Sequence, residues 1–156
     1  MRFILIDRID ELNPGKRIKA SKRLPADEEI FRDHFPGFPV VPGVLLTEMM
    51  AQAAGKCLDA EGIHPGRAML AKIRSASFRA WVKPDEDAII HAEIVQNHPT
   101  YATANCFVEV GGNQVCSAEL FFAFVPHEQF APGYRDEILD AYFITHPPQR
   151  ATGTDR

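Results

Sequence analysis

Short strand-like runs of polar and apolar positions make up much of this chain, and one long stretch departs from them. From Val44 to about Leu58 the residues are good helix formers with no interior proline, and they are apolar nearly all round. Such a segment predicts a helix buried on most sides rather than one lying on a surface. Ala51, Ala53, Ala54 and Gly55 would let other backbone approach it closely. Gly37, Pro39, Pro42 and Gly43 interrupt regular structure ahead of it, and Gly62, Pro65 and Gly66 end it.

Short strand-like runs flank this helix. Residues 3–12 read as a first strand or a strand running into a turn, Asn13-Pro14-Gly15 as that turn, and residues 16–24 as an exposed strand with Ile18 and Ala20 on one face. Residues 25–29 suggest a short helical turn, with proline and acids where a helix N-terminus favours them. After the helix come four runs, 68–80, 88–96, 101–110 and 114–125, at the spacing of an antiparallel meander. In the last of these, Cys116, Ala118, Leu120, Phe122 and Phe124 share one face. One long buried helix against an antiparallel sheet predicts an α+β layer architecture. Residues 134–143 predict a C-terminal helix packing through Ile138, Leu139 and Tyr142, and the polar tail from His146 onward is expected to be flexible. The expected organisation is one domain over residues 1–145, with an extension from about residue 126.

Composition narrows the class. The 156 residues suffice for one domain with its own core, and 46% hydrophobic with 24% charged residues is ordinary globular material. A formal net charge of -4 argues against binding nucleic acid through bulk charge. Cys57, Cys106 and Cys116 are odd in number, lie in apolar surroundings and show no metal-ligand spacing, so buried free thiols are expected and no metal. Arg2, Asp7 and Arg8 break up the N-terminus, which does not read as a signal peptide. No run approaches the ~20 apolar residues of a membrane span, so a cytoplasmic location is expected, with no membrane partner.

Candidate chemistry sits at the start of the helix. His34 lies on the irregular loop before it, and histidine is the side chain best placed to exchange protons near neutral pH. Taken alone it reads as a satisfied loop residue. Glu48 changes that, because an acid among Leu45, Leu46, Met49 and Met50 is costly to bury unless paired or functional. Desolvation would push its carboxyl group up, which suits an acid that must hold a proton. Gln52, one turn later, would hydrogen-bond it, although Glu48 facing solvent or a buried arginine is the plain alternative. Pro42-Gly43 offers bare backbone N–H groups and the helix dipole to polarise a carbonyl oxygen. Base, acid and polariser are what proton removal beside a thioester and loss of a 3-hydroxyl require. His64, His91, His98, His127 and His146 have no such company in sequence.

The run from His34 to Gln52, HFPGFPVVPGVLLTEMMAQ, resembles the signature H-F-P-G-x-P-x-x-P-G-V-L-x-x-E-x-M-A-Q of FabZ-type 3-hydroxyacyl-acyl carrier protein dehydratases without a gap. Weaker similarity at Ile6-Asp7-Arg8 and Phe78-Arg79 extends the resemblance over roughly residues 3–125. It implies a hot-dog fold, a long helix wrapped by an antiparallel sheet, and a homodimer or an oligomer of dimers with the active site at the subunit interface. It implies a lyase of fatty acid or related acyl-chain biosynthesis that needs no cofactor. His34 would remove the C2 proton, Glu48 would protonate the departing hydroxyl and Gln52 would orient Glu48. The Gly43 amide would hold the thioester oxygen, with Val44 and Phe35 as further supporting or substrate-binding positions. The related dehydratase-isomerases carry aspartate at the acid position, so Glu48 favours the plain dehydratase.

Three features depart from that pattern. The loop usually written V-x-P-G-D reads Val82-Lys83-Pro84-Asp85-Glu86, with Trp81 where proline is common. Phe38 replaces a common lysine, and the chain from Pro126 onward exceeds the usual end. Acyl carrier protein, the implied partner, is acidic. Arg67, Lys72, Arg74, Arg79 and Lys83, or Lys16, Arg17, Lys22 and Arg23, would form a basic rim for it or be simply solvated strand faces. A hot-dog acyl thioesterase and a non-catalytic hot-dog subunit are the competing readings. Release of free thiol would mark the first, and absence of turnover by the protein alone the second.

Overall fold

Arg8–Asn13 (β1) and Arg17–Arg23 (β2) form an antiparallel hairpin around the Pro14-Gly15 turn, with Ile9 opposite Ala20 and Leu12 opposite Ile18. In the computed structural model, which describes residues 1–148, β1 starts at Arg8 and not at Phe3. Residues 3–7 instead run beside the long helix, where the Leu5 amide donates to the Gln52 side chain. The helical turn expected over 25–29 also comes later, at Ile30–Asp33 (α1). The Glu28 amide closes a tight turn onto the Pro25 carbonyl at 3.1 Å, and only then does the chain turn helical and bury Phe31.

The long helix, α2, spans Gly43–Glu61, 19 residues or about 28 Å. It ends at Gly62, whose φ of 70° is a left-handed conformation that costs glycine nothing. Four strands follow: Gly66–Phe78 (β3), Asp87–Asn97 (β4), Tyr101–Val110 (β5) and Asn113–Pro126 (β6). With β1 and β2 they make one six-stranded sheet in the order β1-β2-β4-β5-β6-β3, each neighbouring pair antiparallel. The expected meander is therefore real only for β4, β5 and β6. β3 crosses to the far edge, where Ala68 faces Phe124 and Ala76 faces Ala118 on β6, while β2 takes the place beside β4. Gly66 permits this start, since a Cβ there would collide with the Val125 backbone.

The sheet curls around α2. Met49, Met50, Cys57 and Leu58 of the helix are buried with Ile90, Val108, Leu120 and Phe122 of the sheet. This gives the expected single helix inside an antiparallel wrapper, an α+β architecture. β3 departs from that coverage. From Ala71 to Trp81 every residue is exposed, and β3 is an edge strand paired on one side only.

A 3₁₀ turn at His127–Gln129 leads to α3, Glu137–Thr145. It begins three residues later than expected because Asp136 caps it, accepting from the Ile138 and Leu139 amides at 3.1 Å each. Leu139 is buried, with Ile138, Tyr142 and Phe143 packed partly against the core. Of the polar tail from His146, residues 149–156 lie outside the described residues. No helix among the described residues is long and apolar enough to cross a membrane.

Candidate active site

Glu48 and Gln52 stand one turn apart on α2, and the Gln52 Nε2 group donates to Glu48 Oε1 at 3.0 Å. Gln52 is itself fixed by the N-terminal segment: its Oε1 accepts from the Leu5 amide at 2.8 Å, and its Nε2 also donates to the Phe3 carbonyl at 3.2 Å. An amide nitrogen has two hydrogens to give. The backbone of residues 3–5 thus decides which end of the amide faces which way, and the remaining hydrogen is aimed at the carboxylate. Glu48 is half-buried, not sealed into the core, and lies on the wall of a cavity.

His34 sits where α1 ends, its amide bonded to the Ile30 carbonyl at 3.0 Å. The loop then folds back on itself. Phe35 and Phe38 exchange amide–carbonyl bonds of 3.0 and 2.9 Å, Gly37 takes φ 75°, and the Val40 amide donates to the His34 carbonyl at 3.0 Å. The His34–Phe35 peptide is cis. The same turn brings the Val40 carbonyl 3.1 Å from His34 Nδ1. A carbonyl is only an acceptor, so Nδ1 carries the proton and donates, which leaves the Nε2 lone pair free in the neutral ring. The Phe35 ring stacks on the imidazole with centroids 4.1 Å apart.

Gly43 opens α2, and the Leu45 and Leu46 amides both turn back onto the Pro42 carbonyl. The amides of Gly43 and Val44 precede them, in the turn whose N–H groups have no partner within a helix. The Phe78 ring lies against the Gly43 Cα, so close that a Cβ would sit 3.0 Å from it. Val44 and Phe35 are exposed, at 76% and 50%. All six candidate residues therefore cluster along the α1–α2 connection and the first three turns of α2. Within one chain they fall into two groups: Glu48 and Gln52 line a cavity of about 850 Å³ that His34, Gly43, Val44 and Phe35 do not line.

Residues 1–119 match the family model of the FabA-like domain. This chain belongs to the FabA-like family. Among its relatives, the 3-hydroxyacyl-(acyl-carrier-protein) dehydratase FabZ of Levilactobacillus brevis is 41% identical over 121 residues, which are 77% of this chain and 82% of the relative. The FabZ of Bacillus subtilis is 38% identical over 122 residues, covering 78% of this chain and 86% of the relative. Two solved structures share the hot-dog fold at 13% identity. One is the dehydratase heterocomplex ApeI:P of Xenorhabdus doucetiae, with a TM-score of 0.66 over 81% of this chain and 86% of that one. The other is a hypothetical thioesterase with coenzyme A from Streptococcus pneumoniae, with a TM-score of 0.62 over 76% and 85%.

The departures from the family pattern have local explanations. Asp85 stands where the family favours glycine and adopts φ 63°. It keeps the turn by donating its amide to Leu24 at 2.8 Å and accepting from the Ala26 amide through its carboxylate at 3.3 Å. Trp81 meets Phe38 edge-on, with centroids 6.2 Å apart, so the two unusual residues at the mouth of the loop pack on each other.

The basic residues divide. Arg67 is no rim group: it pairs with Asp59 at 3.2 Å and stacks under Tyr134 at 3.9 Å. Lys22 pairs with Asp7 and Arg23 with Asp87. Lys72, Arg74, Arg79 and Lys83 stand exposed on and just after β3. Two of the remaining histidines are satisfied structurally, His91 by Glu109 and His64 by Asn97, each at 2.7 Å.

The three cysteines are free and buried, as expected. Burial pushes the thiols of Cys57 and Cys116 up to about 11 and that of Cys106 to about 12. No group of three or more His, Cys, Asp or Glu side chains among the described residues is arranged to hold a metal ion. Sequence reasoning overlooked Lys56, Asp59 and the extension residues Tyr134 to Glu137, which share the Glu48 cavity. One signal was present: Glu48, Gln52 and Lys56 recur every four residues, a polar stripe on one face of an otherwise apolar helix.

Proposed function

We propose that this protein is a dehydratase, a lyase that converts a (3R)-3-hydroxyacyl thioester carried on acyl carrier protein to the trans-2-enoyl thioester in fatty acid or related biosynthesis. The Nε2 lone pair of His34 takes the C2 proton. As the C2 electrons form the double bond, the C3–O bond breaks, and protonated Glu48 gives its proton to the departing hydroxyl, which leaves as water. The amides opening α2, with the helix dipole behind them, stabilise negative charge on the thioester oxygen. No cofactor takes part. The reaction is placed in the cytoplasm.

The observation that carries this reading is the pair of fixed orientations. The Val40 carbonyl selects the basic nitrogen of His34, and Gln52, clamped by residues 3–5, aims at Glu48. That His34 does not line the Glu48 cavity of its own chain supports a working site assembled from two chains, His34 of one and Glu48 of the other. The long exposed edge of β3 is the surface on which a second copy would pair. Lys72, Arg74, Arg79 and Lys83 beside that edge give the acidic carrier a basic approach.

The test is turnover of 3-hydroxyacyl carrier protein by purified protein, with enoyl product and free thiol measured together. His34→Ala and Glu48→Gln are each expected to remain folded and to form no enoyl product. Full activity in both variants, or thiol release without enoyl product, would overturn the assignment.

A further inference from the structure

The polar stripe on α2 has an end. Glu48, Gln52 and Lys56 stand on successive turns, and Ala51, Gly55 and Asp59 lie on the same side, forming the floor of the Glu48 cavity. The catalytic end of that floor is Glu48 with Gln52. The other end is built by residues 134–138, which lie beyond the FabA-like match that stops at residue 119.

Three contacts hold this stretch in place. Asp136 accepts from Lys56 at 2.6 Å, with both side chains nearly nine-tenths buried. Tyr134 lies over the Arg67 guanidinium, at the start of β3. Glu137 accepts from Arg2 at 2.7 Å, ahead of β1. The extension thus bridges the segment ahead of β1, the middle of α2 and the start of β3.

We infer that residues 134–138 close the acyl site and set the length of acyl tail it accepts. This rests on the dehydratase reading, because it places the tail of a 3-hydroxyacyl group on the floor that begins at Glu48. From Glu48 to Lys56 is eight residues, about 12 Å along the helix axis. A tail that follows the floor meets the Lys56–Asp136 pair at that distance. Going further would require parting a buried pair, which leaves each charge without its partner. Short tails fit in front of the wall, and long ones are excluded.

Asp136 does two jobs at once. One carboxylate oxygen caps α3 through the Ile138 and Leu139 amides, and the other holds Lys56. The wall is thereby tied to a helix docked through Leu139. Gly55 supplies the converse lever. A Cβ there would meet only the Ala68 carbonyl, at an ordinary 3.9 Å, so a larger side chain would project into the floor without displacing backbone.

The experiment compares 3-hydroxybutyryl, 3-hydroxydecanoyl and 3-hydroxypalmitoyl carrier protein as substrates, and the matching pantetheine thioesters as equilibrium ligands. The full-length protein is expected to prefer the shorter tails in both assays. A Lys56→Ala/Asp136→Ala double variant removes both charges together and is expected to gain about tenfold or more on the palmitoyl substrate relative to the butyryl one. Gly55→Leu is expected to lower binding and turnover of the decanoyl group relative to the butyryl one by about tenfold. If Gly55→Leu and the double variant leave the length profile of binding unchanged, the inference is overturned. It is likewise overturned if the unmodified protein binds all three tails equally. Shifted binding profiles without any turnover would sink the dehydratase reading and leave the wall in place.

Discussion

Gln52 donates to Glu48 across 3.0 Å with the one hydrogen that the N-terminal segment leaves it. The carboxylate is therefore positioned by backbone more than forty residues away in sequence, through a single amide.

Gln52→Leu keeps the volume and removes the aim. It is expected to lower kcat by about 10²-fold, within the range a positioned general acid contributes, with little change in KM. Steady-state kinetics on carrier-linked substrate, with circular dichroism as the folding control, would check this. A matching rise in KM with kcat intact would mean that Gln52 holds substrate and not the acid.

The buried thiols give a pH signature. Burial raises Cys57 and Cys116 to about 11 and Cys106 to about 12, above the ordinary 9.0. A thiol raised in the folded state favours folding fully below its ordinary value, and that contribution is lost as pH climbs through the raised one. Thermal stability is therefore expected to fall as pH passes from about 9 towards 11–12, and to fall less in a Cys106→Ala variant. At pH 8 all three thiols should resist a disulfide reagent until denaturant is added. Rapid labelling of the native protein would contradict the buried placement.

The β3 edge supplies the third test. Ile73 is 49% exposed and Phe78 is 48% exposed on a strand with one side unpaired. Ile73→Asp is expected to leave the fold intact, shift the protein to a monomer in sedimentation, and abolish dehydration, because His34 and Glu48 then belong to sites that no longer meet. A fully active monomer would refute the shared site.

The long helix was legible because a proline-free apolar run bounded by Pro42 and Gly62 has few alternatives. The strands were legible too, Tyr101–Val110 to the residue, because turns rich in glycine, proline and asparagine separate them. Strand order was not. Alternation tells which residues of a strand share a face, but not that the partner of Ala68 is Phe124 or that of Ala76 is Ala118 and not a residue of β4. His34, Glu48 and Gln52 were singled out by residue type and by a family signature, whereas the Val40 carbonyl and the Phe3–Leu5 backbone that hydrogen-bond His34 and Gln52 leave no mark in side-chain identity. Asp136 was equally silent, since its partner Lys56 lies eighty positions earlier.

The crossing of β3 to the far edge has a consequence for how the chain is made. Its hydrogen-bonding neighbour, β6, is the last strand to leave the ribosome, and β2 waits for β4 across more than sixty residues. Contacts so distant in sequence form slowly. Until residue 126 has emerged, Met49, Met50 and Leu58 have no complete sheet to close over them. The nascent protein thus carries a greasy helix without its full sheet from the emergence of Glu61 to that of Pro126, a state prone to sticking.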